Sequence, residues 1–193
     1  MFTTKELTRK TWPDFEKFFG KPGEWGACWC IYYHRPRPLP KAERLKLSKG
    51  QRVARNRQDK KDLVDKGCSH GILVYDREEP VGWCQYGPKE ELPRVDAGRK
   101  YRKLSLDSRG KKLWRISCFC VDRKYRNRGV ASIGLMAALD SIEKNGGGMV
   151  EAYPVTHRGA LASWFGSVSM FKANGFRIVA PFGKSNVVMR RVI

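Results

Sequence analysis

The chain has 193 residues, 41% hydrophobic and 30% charged, which fits a globular protein able to bury a sizeable core. No apolar run is long enough to span a bilayer, and the opening MFTTKELTRK lacks the apolar centre of a signal peptide. Membrane and secreted classes are therefore set aside, and a cytoplasmic protein is expected, with residues 1–193 as one domain whose basic portion 1–70 is the less typical part.

Thr11 reads as the cap of an opening helix, Pro13 as part of its first turn, Phe15, Phe18 and Phe19 as its apolar side and Gly20 as its stop. Residues 25–33 (WGACWCIYY) are aromatic and β-prone, which predicts the first strand. Three prolines keep residues 34–40 out of regular structure. Residues 41–66 read as one or two basic helices with sparse apolar positions, stopped by Gly67. Residues 71–76 (GILVYD) and 80–86 (PVGWCQY) form a hairpin about the turn 77–79. Residues 87–101 are irregular, and 103–112 are a polar loop.

Residues 113–121 (LWRISCFCV) are a strand, 123–129 a basic turn, and 130–144 a helix with Val130, Ile133, Leu135, Met136, Leu139 and Ile142 at helical spacing. Gly146, Gly147 and Gly148 turn the chain into a strand over 149–155. An irregular insertion, 156–166, leads to a short helix over 167–174 with Gly175 as its stop, and 176–181 with 186–192 close the chain as a strand pair. This order predicts an α/β (α+β) mixed sheet with helices on both faces.

The stretch 113–131 carries the chemistry. The first turn of a helix has unpaired N–H groups and the positive end of the dipole, so it binds an anion, typically phosphate. Gly129 lets the backbone approach that anion, and Arg126 and Arg128 add charge-assisted donors. The turn matches neither the P-loop nor the dinucleotide fingerprint. Arg126-Asn127-Arg128-Gly129-Val130-Ala131 instead resembles the pyrophosphate loop of the GNAT acetyltransferase superfamily, [RQ]-x-x-G-x-[GA]. The run from Ser169 to Asn174-Gly175-Phe176 resembles that family's second signature, in the right order. The resemblance covers residues 71–193 well and the first seventy poorly.

That resemblance implies a mostly antiparallel sheet, splayed beside the strand that precedes the loop, with acetyl-CoA lying in the gap and no metal. Carried over by position, Phe119, Cys120 and Val121 meet the pantetheine arm, Arg126 to Ala131 (including Asn127, Arg128, Gly129 and Val130) hold the pyrophosphate, and Phe171 joins the cofactor-binding set. A backbone N–H near Phe119 or Cys120 would polarise the thioester carbonyl. The implied reaction is direct attack by an unidentified primary amine on the thioester, with residues 41–66 as a wall of the acceptor pocket. Glu151, a lone carboxylate in an apolar strand, is the candidate base, and Tyr153 shares its face. Two departures stand out. Phe171 occupies the family's usual tyrosine acid position, leaving Ser169 or Tyr153 as substitutes, and Trp164 falls near the family's asparagine.

Six cysteines are expected as thiols in a cytosolic setting. Cys28 with Cys30, and Cys118 with Cys120, are C-x-C pairs in strand-like runs, so each pair shares a face. They lack the usual zinc spacing and are read as small buried hydrophobes, although an acyl-cysteine route through Cys118 or Cys120 stays open. His34, His70 and His157 read as loop or surface residues. The net charge of +20 is concentrated in residues 34–66, which contribute +8, and residues 97–128, which contribute +10. This supports an alternative, a basic nucleic-acid-binding protein that keeps the fold, or an acetyltransferase acting on an RNA-bound amine. Homodimer formation is left open.

Overall fold

The computed structural model describes residues 1–21, 28–156 and 162–193. Its strands are β1 (Phe2–Glu6), β2 (His70–Asp76), β3 (Glu79–Pro88), β4 (Leu113–Val121), β5 (Met149–Ala152), β6 (Arg177–Phe182) and β7 (Asn186–Val192). Its α-helices are α1 (Trp12–Phe19), α2 (Lys41–Lys46), α3 (Lys49–Asp65), α4 (Arg94–Ala97), α5 (Arg99–Arg102), α6 (Val130–Lys144), α7 (Ala162–Phe165) and α8 (Val168–Ala173).

The strands make one seven-stranded sheet in the order β1-β2-β3-β4-β5-β7-β6. Every neighbouring pair is antiparallel except β4 with β5. On one face, Val130, Leu135, Ala138 and Ile142 of α6 bury against Ile72, Val74, Cys84 and Ile116, with Phe171 and Phe176 closing the same core. On the other, the aromatic side of α1 packs on Leu73, Tyr75 and Trp83. Phe15 lies edge-on to Trp83 at 4.9 Å between ring centres. Gly82 makes the close approach of α6 to the sheet feasible, because a Cβ there would lie 2.3 Å from Val130 Cγ1.

Two expectations fail at the N-terminus. The first strand is β1, not residues 25–33. β1 is an exposed edge strand with only Phe2 partly buried, so its sequence carries little of the apolar alternation that marks a strand. Residues 22–27 lie outside the described residues, and 28–33 are a chain of turns in which Ile31 N–H donates to Cys28 O at 3.1 Å and His34 N–H to Ile31 O at 3.1 Å. Trp29 and Cys30 hold left-handed φ values of 49° and 47°, conformations a bulky side chain adopts only when its surroundings compel it. The compulsion is burial: Trp29 stacks on Trp12 at 6.4 Å and packs beside Phe15 and Phe19. The aromatic composition reflects core packing rather than β structure.

Candidate active site

β4 and β5 run side by side only from the Leu113–Met149 pair to the Ile116–Ala152 pair. Beyond that point Val155 turns away to bridge Ser167 and Asn186, and β4 continues from Ser117 to Val121 with no β5 partner. On its other side β4 carries a bulge. Gln85 pairs with Cys118 and Tyr86 with Ile116, so Ser117 is the extra residue. Its hydroxyl donates to Gln85 Oε1 at 3.1 Å, tying the bulge to β3. Parallel pairing that ends early, beside a bulge, opens the sheet along the second half of β4.

A cavity of about 400 Å³ occupies this opening. Phe119 and Val121 of β4 form one wall, residues 125–127 and 129–132 the floor, and Trp164, Gly166, Ser167 and Met170 the far side. The floor is a basic turn leading into the start of α6. Asp122 caps the turn, its Oδ1 accepting from Lys124 N–H at 3.0 Å. Asn127 and then Gly129 adopt left-handed φ values of 60° and 80°. No side chain caps α6, so the first N–H groups of the helix stay free toward the cavity. A Cβ at Gly129 would meet nothing within 4 Å, so it is the backbone angle and not space that requires glycine there. Arg126 Nε donates to Val121 O at 3.2 Å, fixing the arginine at the end of β4.

Of the residues expected to bind the cofactor, Phe119, Val121, Arg126, Asn127, Gly129, Val130 and Ala131 line this cavity together. Three do not. The Arg128 guanidinium lies over the rings of Phe2 and Tyr125, at 5.5 and 5.0 Å. The Cys120 side chain faces the opposite core, and Phe171 is wholly buried between Phe119 and Phe176.

The expected catalytic residues lie elsewhere. Glu151 is fully buried on β5 and faces away from the α6 core. Its Oε1 accepts from Tyr101 at 2.7 Å and Tyr153 at 2.5 Å, and its Oε2 from Arg190 Nε at 2.7 Å. Arg115, itself wholly buried, approaches Oε1 at 4.0 Å and forms a two-point pair with Asp96 at 2.7 Å. Both carboxylate oxygens of Glu151 are thus already engaged, and neither Glu151 nor Tyr153 lines the cavity. Burial, then the Glu151 carboxylate, holds the Tyr153 hydroxyl well above the ordinary phenol range, so it keeps its proton. Ser169 is exposed and hydrogen-bonds Ser167 Oγ at 2.9 Å, outside the cavity wall. The lone carboxylate of the strand is a structural ion-pair centre in this fold.

A second cavity, of about 270 Å³, lies on the other side of β4, walled by Cys28, Cys30, Tyr33, Gln85, Ser117 and Cys118 and closed by Trp164 and Phe165. Trp164 lines both cavities and stands between them. Behind the second one runs a polar network. Gln85 Nε2 donates to Cys30 O at 2.9 Å and reaches His34 Nε2 at 2.9 Å. Lys60 Nζ reaches the same imidazole nitrogen at 3.1 Å, while His34 Nδ1 pairs with Glu91 O at 2.8 Å. Burial, then the Lys60 ammonium, holds His34 well below the ordinary imidazole range, so it is neutral with Nε2 accepting. His34 is therefore a network residue, His70 pairs with Glu91, and His157 lies outside the described residues.

The cysteine pairs divide differently than expected. Cys118 and Cys120 do share a face, but Cys28 and Cys30 sit in a turn, with Cys28 exposed and Cys30 buried. That turn carries Cys30 onto β4, where its Sγ lies 3.7 Å from that of Cys118. Hydrogen bonds from Cys120 and Cys30 lower the Cys118 thiol, while burial raises those of Cys120 and Cys30. Gln85, Ser117 and Lys60 are functional candidates that sequence patterns do not mark, because the β3–β4 register and the packing of α3 bring them together.

Comparison with known proteins agrees with this geometry. The model of the acetyltransferase (GNAT) family matches residues 38–164. No curated protein matches the sequence significantly. Among solved structures, a mosquito arylalkylamine N-acetyltransferase like 5b superposes with a TM-score of 0.58 at 10% identity, covering 100% of both chains. An acetyltransferase from Thermus thermophilus gives 0.52 at 15% identity over 100% of this chain and 97% of the other. The PaiA N-acetyltransferase of Thermoplasma acidophilum, in complex with coenzyme A, gives 0.52 at 14% identity over 100% and 99%. At these identities the likeness is one of fold, while the family model spans most of the chain. The family model spans residues 38–164, and the sheet it covers splays between β4 and β5 above a cavity floored by the Gly129 turn: the chain belongs to the GNAT acetyltransferase family.

Proposed function

We propose that the protein transfers the acetyl group of acetyl-CoA to a small primary amine by direct attack on the thioester. The observation that carries this reading is the pair of cavities meeting at Trp164 across the unpaired half of β4. The larger suits the cofactor: free helix N–H groups and Arg126 for the pyrophosphate, and the exposed edge of β4 for the pantetheine amides, as an added strand. A backbone N–H at the bulge would polarise the thioester carbonyl. The smaller suits the acceptor.

The chemistry of that second wall narrows the substrate. Among the described residues neither cavity is lined by a carboxylate or an imidazole. An acceptor there is held by aromatic and thiol surfaces as the neutral amine and gives its surplus proton to water, not to a protein base. The leaving thiolate is weakly basic and needs no protein acid. A compact amine bearing an aromatic or apolar group fits, whereas polyamines meet no anionic partner and a net charge of +20. A reducing, cytoplasmic setting suits six free thiols.

The test is release of free coenzyme A from acetyl-CoA across a panel of arylalkylamines, amino acid amides and polyamines, each product checked by mass. Amine-dependent release confined to compact apolar amines supports the reading. Release with no amine preference, or only with polyamines, refutes the acceptor assignment.

A further inference from the structure

Cys30, Cys118 and Cys120 place their sulfur atoms within 4.8 Å of one another, and the Cys30–Cys118 pair is at 3.7 Å. Zinc bound tetrahedrally by thiolates at about 2.3 Å has sulfur–sulfur edges of about 3.8 Å. One edge of the triangle already has that length, and the others close with shifts of about 1 Å or less. We propose that these three cysteines form a binding site for a soft divalent metal ion, zinc first, whose fourth coordination position opens into the acceptor cavity.

Three further observations support the assignment. The ligands come from two separate segments, and the turn that buries Trp29 in the aromatic core also carries Cys30 onto β4. Gln85 donates to the Cys30 carbonyl at 2.9 Å and accepts from the bulged Ser117, the kind of outer support that fixes a metal ligand. The Lys60 ammonium is fully buried, forms no ion pair within 4.0 Å with any carboxylate among the described residues, and has the Cys30, Cys28 and Cys118 thiols, then the Glu91 carboxylate, as electrostatic neighbours. A divalent ion on three thiolates carries a net charge of −1, which that ammonium balances. Binding exchanges the protons of three thiols, released to solvent, for the metal, and no redox step is involved. Cys30 and Cys118 also line the second cavity, so the open vertex faces the acceptor, with Cys28 at the same wall.

The experiment uses the full chain expressed in zinc-supplemented medium and purified without chelator. Metal content is measured by plasma emission, and cobalt(II) is then added to chelator-stripped protein. The expected result is zinc near one equivalent per chain, and a thiolate-to-cobalt charge-transfer band with tetrahedral d–d absorption. Cys118→Ser and Cys30→Ser should lose at least tenfold in affinity, and Cys68→Ser, remote and exposed, should retain it. Should the cluster variants fail to fold, stepwise mercurial titration of wild-type thiols in the presence of a zinc indicator reads the same linkage, with zinc released as thiols are blocked. Wild-type protein that carries no metal and takes up no cobalt would overturn the proposal. So would undiminished affinity in Cys118→Ser, or a Cys30–Cys118 disulfide in protein purified under reducing conditions. None of these readouts depends on acetyl transfer.

Discussion

Glu151→Gln separates a structural role for this carboxylate from a catalytic one. In the wild type, Arg190 reaches Oε2 with Nε at 2.7 Å and Nη2 at 2.7 Å, and its side chain is only 10% exposed. Glutamine keeps one acceptor oxygen but removes the charge. Arg115 retains Asp96, so the substitution leaves one buried guanidinium, that of Arg190, without a counterion. Breaking a buried pair on one side costs roughly 3–5 kcal/mol, and the surviving acceptor puts this case at the lower end, about 3 kcal/mol. In a chain of this length each kcal/mol moves the melting temperature by roughly 2–4 °C, so a fall of about 6–12 °C is expected. The assays are urea unfolding, thermal melting, and turnover at a temperature where both proteins stay folded. A lower melting temperature with kcat within about threefold of wild type fits the ion-pair role. Unchanged melting with turnover lost by about a hundredfold or more, the scale of general base catalysis, would refute it and restore Glu151 as the base.

Other consequences are as direct. Gly82→Ala drives a Cβ to 2.3 Å from Val130 Cγ1 and should push the first turn of α6 off the sheet. It is expected to cost about 1–3 kcal/mol by urea unfolding and to weaken acetyl-CoA binding as well, whereas a purely local clash would leave binding intact. His34 is held neutral in the fold, so its contribution to stability is full above its unfolded pKa of about 6.5 and is lost as pH falls toward the lower folded value. Melting temperature should therefore drop below about pH 6.5, and His34→Gln should flatten that part of the profile; an unchanged slope would count against the network described. With no carboxylate or imidazole on either cavity wall among the described residues, kcat/KM should rise with pH until it reaches the pKa of the acceptor amine itself, and shift when a less basic amine is used. A plateau independent of the amine would point to an enzyme base. Trp164→Ala merges the two cavities, and acetyl-CoA hydrolysis without amine should rise, a quantity read by thiol release.

The elements legible in the sequence are those whose physics is local. β4 and α6 follow from apolar alternation and helical spacing within residues 113–144, and the left-handed Gly129 at the start of α6 follows from the glycine-containing turn between them. The hairpin of β2 and β3 and the Gly175 stop of α8 are legible for the same reason. What escaped depends on distant partners. β1 is a polar edge strand placed by pairing with β2 and by Phe2 against the α6-side core. The aromatic run ending at Tyr33 reads as a strand because burial and β structure favour the same side chains. Glu151 looks solitary along the chain, yet its partners Tyr101, Arg115 and Arg190 arrive from three other elements. The bulge at Ser117 and the meeting of Cys30 with Cys118 are matters of register, which no spacing within a single segment reveals.

The claim on which the rest depends is that the cavity beneath the splay holds acetyl-CoA. Calorimetric titration of the wild type with acetyl-CoA, beside an Arg126→Ala, Gly129→Glu double variant, tests it most directly. Saturable binding by the wild type and none by a folded variant is the predicted result. Equal binding by both, or no binding by the wild type, would contradict it.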